Sequence, residues 1–171
     1  IEGRQYLLSG SPGAGKTTFG VQFLATGGLS GEPGAYVVLT ESVDTIVTDM
    51  SRYDLHVEAL IQKKRLFFQD IGPSKSYVEL DELAATSSGF EEEIQAPSSY
   101  SVFSKVEKMV KQNSIKRLVI DSLSAIKFTA RDSAEEERCV IRFIRNLKNL
   151  NCTTMLLSEL TKPDAYTIEQ F

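Results

Sequence analysis

Gly10-Ser11-Pro12-Gly13-Ala14-Gly15-Lys16-Thr17-Thr18 decides the fold of this 171-residue chain. The stretch fits G-x-x-x-x-G-K-[ST], a loop pattern whose backbone N–H groups cradle phosphate. Its surroundings fit as well. Gln5-Tyr6-Leu7-Leu8-Ser9 before it reads as a short buried strand, and Phe19, Val21, Phe23 and Leu24 after it give a helix its apolar side. Gly10, Gly13 and Gly15 let the backbone bend back and present its N–H groups inward. The next helix, expected over roughly Gly15 to Thr26, points its positive end at the same place. Lys16 can reach terminal phosphates as a point charge, and Thr17 can place its hydroxyl on Mg²⁺.

Working outward, Gly27, Gly28, Gly31, Pro33 and Gly34 read as a strong break after that helix. Ala35-Tyr36-Val37-Val38-Leu39 is a continuous β-favouring run, as expected of a strand covered on both faces. Thr40-Glu41-Ser42 ends it, and Ser42 can cap a helix with Ile46, Val47 and Met50 on one face. Leu66-Phe67-Phe68-Gln69-Asp70, Arg117-Leu118-Val119-Ile120-Asp121 and Thr153-Thr154-Met155-Leu156-Leu157 read as further strands. Helical spacing appears at Val102, Phe103, Val106, Met109 and Val110. It reappears at Val140, Ile141, Phe143, Ile144 and Leu147, behind a capping box at Ser133-Ala134-Glu135-Glu136. Residues 71 to 99 hold Gly72, Pro73, Gly89, Pro97 and the acidic run Glu91-Glu92-Glu93, and read as a long loop. Five apolar strands alternating with helices predict an α/β fold, a mostly parallel sheet with helices on both faces.

Composition narrows the function classes. Hydrophobic content of 42% and charged content of 25% are ordinary for a globular protein. Net charge is −4, which argues against a broad nucleic-acid surface. No apolar run approaches the roughly 20 residues that span a bilayer, and no signal peptide is read, so a cytoplasmic location without membrane contact is expected. Cys139 and Cys152 lie in apolar segments and read as buried, inert thiols. His56, the single histidine, has no ligand-spaced companions and reads as a solvent-edge residue.

In parallel α/β sheets, ligands bind at the carboxyl ends of strands. Gly10–Thr17, Thr40-Glu41, Asp121 and Ser158 all follow strand ends, so they are expected on one rim. Asp121 suits an Mg²⁺ role, usually through water. Glu41 can orient or deprotonate an attacking water, or can simply favour a helix dipole. Ser158 and Glu159 read equally as γ-phosphate sensors or as the start of a loop. Arg138, Arg142 and Arg145 read as a solvated helix face, with a neighbouring subunit or nucleic acid as the alternative.

Four anchors together resemble a KaiC-type ATPase domain of the RecA superfamily. They are Ser9–Thr18, Tyr36-Val37-Val38-Leu39-Thr40-Glu41-Ser42, Arg117-Leu118-Val119-Ile120-Asp121-Ser122-Leu123-Ser124 and Met155-Leu156-Leu157-Ser158-Glu159. The resemblance implies a three-layer RecA-like domain over residues 1–171, expected to be a fragment lacking the family's C-terminal strands, into which Tyr166–Phe171 would lead. It implies binding of ATP and ADP with Mg²⁺, and assembly into hexameric rings with ATP at subunit interfaces. Lys16 would take the phosphate-lysine role in catalysis, Thr17 and Asp121 the magnesium roles, Glu41 the water-activating role, and Arg52 a place near adenine. Where the family commonly has two adjacent glutamates, this chain has Thr40-Glu41, so slow hydrolysis is expected. The expected function is nucleotide state coupled to assembly and to signalling or partner binding. The alternatives are a nucleotide-dependent regulatory module with little hydrolysis and a DNA-stimulated recombinase-like ATPase.

Overall fold

Five apolar segments pair side by side in a computed structural model that describes residues 2–71, 99–130 and 133–159. The strands are β1 (Gln5–Gly10), β2 (Gly34–Val38), β3 (Leu66–Asp70), β4 (Arg117–Asp121) and β5 (Thr153–Glu159). All pairings are parallel, in the order β1-β5-β4-β2-β3. This is the parallel α/β sheet expected from the alternation of strands and helices. β5, last in the chain, lies between β1 and β4. Its register runs from Gln5↔Thr154 to Gly10↔Glu159 on one side and from Arg117↔Thr153 to Ile120↔Leu156 on the other.

The period of two along each strand sorts side chains between two cores. Tyr36, Val38, Val119 and Leu157 face a cluster shared with α1 (Lys16–Leu29), α2 (Val43–Met50) and α3 (Val57–Gln62). Ala35, Val37, Leu118, Ile120 and Leu156 face a cluster shared with α4 (Ser99–Gln112) and α5 (Ser133–Leu147). Every residue of β2 is buried, which explains its unbroken apolar run. Burying each such Val contributes roughly 1.5–3 kcal/mol relative to exposure. Cys139 and Cys152 are free and buried. No helix among the described residues is long and apolar enough to cross a membrane.

Ser42 caps α2 as expected, its side chain accepting the Thr45 N–H at 3.2 Å, with Ile46 and Met50 buried beneath. The expected break at Gly27-Gly28 is corrected: α1 continues through both glycines to Leu29. They serve close approach instead. A Cβ on Gly27 would fall 2.5 Å from Arg117 Cδ and Nε, and one on Gly28 would fall 3.1 Å from Leu60 Cδ2. The Arg117 side chain fills that space. Its Nε donates to Glu32 Oε2 at 2.6 Å and its Nη1 to the Phe23 carbonyl at 2.9 Å, while its guanidinium lies 5.0 Å from the Phe23 ring centroid. Glycine marks a break or a packing site equally well in sequence, and here the incoming arginine decides.

The loop expected over 71 to 99 lies largely outside the described residues, as do Tyr166–Phe171 and the entry to α5 ahead of Ser133.

Candidate functional site

The loop between β1 and α1 is shaped by its glycines. Gly13 and Gly15 have φ of 78° and 81°, a region costly for residues with a Cβ. A Cβ built on either meets nothing within 4 Å, so conformation rather than space requires glycine there. The Ala14 N–H closes the turn on the Ser11 carbonyl at 3.2 Å. Ser11, Pro12, Gly13 and Ala14 are exposed on the loop, while Thr17 and Thr18 are half-buried in the first turn of α1. Gly15, at the N-cap, offers no side chain to that turn's N–H groups. Those groups are the usual partners of an anion at a helix start. Lys16 folds back over the loop, its Nζ donating to the Gly10 and Ser11 carbonyls at 2.8 Å each.

Across the strand ends stands Asp121. The Thr17 hydroxyl donates to Asp121 Oδ2 at 3.3 Å, joining residues 104 positions apart. The Tyr36 hydroxyl donates to the same oxygen at 2.5 Å. Burial pushes the Asp121 carboxyl above its ordinary range. The bonds from Tyr36 and Thr17 and the charge of Lys16 pull it back, while Glu159 adds to the upward push. Burial, and then the Asp121 charge, holds the Tyr36 phenol far above its usual value, so it stays a donor.

Glu41 is exposed on the turn after β2. The Leu39 N–H fastens the start of that turn to the Asp121 carbonyl at 2.7 Å. Glu41's carboxyl is pushed up first by loss of solvation, then by the charges of Asp121, Glu159 and Asp49. Three carboxylates thus feel one another at the rim, with Lys16 as a nearby cation. Ser158 is half-buried in β5, paired in register with Ser9.

The donors suit magnesium. Thr17 and Asp121 offer hard oxygen atoms in mutual contact. No group of three or more His, Cys, Asp or Glu among the described residues forms a metal cage. Mg²⁺ does not need one, since it keeps several waters and takes one or two protein ligands beside phosphate oxygens.

The remaining candidates are all exposed. His56 is exposed, its Nδ1 3.6 Å from Asp54. Arg52 is exposed and 3.8 Å from Asp49. Arg138, Arg142 and Arg145 are exposed on α5. Sequence reading missed Tyr36, which it treated as core. A signal was present: a tyrosine inside a fully buried strand must find a partner for its O–H. Strand alternation places it on the face that Asp121 shares.

Comparison with known proteins agrees with this arrangement. The family model described as "ATPase: KaiC" matches residues 1–171. The circadian clock oscillator protein KaiC of Parathermosynechococcus lividus is 30% identical over 174 aligned positions, covering 99% of this chain and 30% of that protein. A UPF0273 protein of Thermotoga maritima is 27% identical, covering 91% of this chain and 61% of that protein. The crystal structure of a KaiC-like protein from Pyrococcus horikoshii OT3 superposes with a TM-score of 0.75 at 28% identity, covering 99% of this chain and 69% of that one. The chain therefore spans under a third of the length of the clock protein it matches. Its α/β sheet is of the RecA-like type.

Proposed function

The chain belongs to the KaiC ATPase family, and from that premise we propose that it binds ATP with Mg²⁺ on Gly10–Thr18 and hydrolyses it slowly. Nucleotide state would govern assembly into a ring, by family resemblance a hexamer, and through it signalling or partner binding. The observation that carries the reading is the 3.3 Å contact between Thr17 and Asp121 beside a lysine-bearing loop.

The residues divide the work. Gly10–Gly15 and the first-turn N–H groups of α1 receive the phosphates. Lys16 exchanges the Gly10 and Ser11 carbonyls for phosphate oxygens. Thr17 and Asp121 would hold Mg²⁺, which when bound would supply charge neutralisation on the phosphates. Glu41 orients a water and accepts its proton as the water oxygen bonds to the γ-phosphorus. The bond from that phosphorus to ADP breaks, and ADP and phosphate leave. Glu41's raised carboxyl moves it toward the range useful for a base. Positioning and charge neutralisation supply most of the acceleration.

Thr40 favours a second reading, a nucleotide-dependent module with little turnover. Phosphate release at saturating ATP and Mg²⁺, measured beside nucleotide binding, separates the two. Glu41→Gln is expected to retain binding and lose roughly 100-fold or more in turnover. Parent-level turnover in that variant sinks the role given to Glu41. Binding without release by the parent protein selects the second reading. Mass in solution, with and without ATP and Mg²⁺, tests assembly.

A further inference from the structure

Tyr36 is completely buried in β2, and its hydroxyl reaches Asp121 Oδ2 at 2.5 Å. We propose that Tyr36 is a positioning residue for the metal-binding carboxylate, holding Asp121 in one orientation from within the core. The inference rests on the Mg²⁺ role given above to Asp121 and adds a residue to it.

The geometry starts with the strands. β2 and β4 are paired with Tyr36 opposite Val119 and Val38 opposite Asp121. Tyr36, Val119 and Asp121 therefore share the α1 face, and the phenol extends one residue pair along the sheet to meet the carboxylate. Its ring has little freedom. It stacks on Phe68 with centroids 5.6 Å apart and planes inclined by 26°. From α1, Gly20 comes so close that a Cβ there would lie 3.3 Å from Tyr36 Cε2. A side chain gripped in this way presents its hydroxyl in one place.

Asp121 ends its strand half-buried, where a free carboxylate could rotate about its last torsion. Two donors converge on Oδ2, one from Tyr36 and one from Thr17. The carboxylate's other oxygen is the one that remains for a metal-bound water. The two donors are not equivalent. Thr17 belongs to the loop that must accommodate nucleotide, and its hydroxyl oxygen is itself a proposed metal ligand. Tyr36 belongs to the buried sheet, and its phenol donates to the carboxylate from within it. Replacing partners that orient a metal ligand typically costs roughly 10–100-fold in metal affinity.

Tyr36→Phe removes the hydroxyl and keeps the ring. The test titrates Mg²⁺ against binding of a fluorescent non-hydrolysable ATP analogue, with Asp121→Asn in parallel. Tyr36→Phe is expected to raise the half-saturating Mg²⁺ concentration about 10-fold, leaving affinity for the analogue in EDTA unchanged. An unshifted titration in Tyr36→Phe, when Asp121→Asn shifts it, overturns the positioning role and leaves the metal reading standing. If neither variant shifts it, the metal reading itself fails and the proposal with it. Should Tyr36→Phe not fold, tyrosine ring ¹³C NMR of the parent protein reads the same contact. The tyrosine signal that Asp121→Asn moves must also move when Mg²⁺ joins the bound analogue; a signal blind to Mg²⁺ overturns the proposal.

Discussion

The two ends of the sheet handle charge in opposite ways. At the amino end, Arg117 is met by Glu32, the Phe23 carbonyl and the Phe23 ring, and Gly27 makes room for it. Opposite charges there are paired and fully engaged. At the carboxyl end, loss of solvation and neighbouring negative charge push the Glu41 and Asp121 carboxyls upward, Asp121 and Glu159 acting on Glu41 and Glu159 on Asp121. Lys16, the cation nearby, is bonded to its own loop's carbonyls. One end meets its charge with its own side chains, while at the other the proposed Mg²⁺ and phosphates would meet the carboxylates and Lys16. Electrostatic strain at a sheet end, beside satisfied charge at the other, separates a site from a support.

Substitutions can break that contrast. The largest effect is expected from Lys16→Ala, which should weaken ATP binding roughly 10- to 100-fold, as for a lost bond to a charged group, without lowering thermal stability. Isothermal titration and a melting curve on the same sample check both halves. Gly27→Ala should do the reverse. Its new methyl meets Arg117 at 2.5 Å, an overpacking that costs about 1–3 kcal/mol, read by urea unfolding. Nucleotide affinity should stay at the parent value; a matching loss of affinity would show that the two ends are coupled and end the comparison.

The smallest effect concerns pH. The Glu41 and Asp121 carboxyls are raised in the folded protein, so their protonated forms favour folding. That contribution is complete below the unfolded carboxyl range and is lost as pH rises through the raised values. Ionised at neutral pH, both therefore oppose folding. Glu41→Gln should melt slightly higher than the parent at neutral pH. The gap should close as pH falls into and below the ordinary carboxylate range. A gap independent of pH would mean that carboxylate repulsion is not what the substitution relieves.

How much of this was legible in sequence depended on whether the signal was local. Strands such as Leu66–Asp70 and Arg117–Asp121 announce themselves by apolar runs, and their boundaries coincide with those observed. The loop residues follow from a pattern whose glycines have local reasons, conformational at Gly13 and Gly15 and close approach to Ala14 at Gly10. Gly27 was misread, and the hydroxyl of Tyr36 overlooked though its place in the core held, for one shared reason: their meaning lies in a partner far along the chain, Arg117 for one and Asp121 for the other. Strand order was equally hidden. Placing strand ends on one rim does not say that β5 separates β1 from β4.

That interposed strand has a consequence in time. The phosphate loop is made before β5, yet among the described strands β1 has no sheet neighbour except β5. Until residues near Thr153–Glu159 exist, β1 has no described strand beside it, and the loop is held only at its α1 end, which packs on β2 and β4. The phosphate loop is therefore made before the strand that seats its β1 end, and a half-made domain holds the pieces of the site without their spacing.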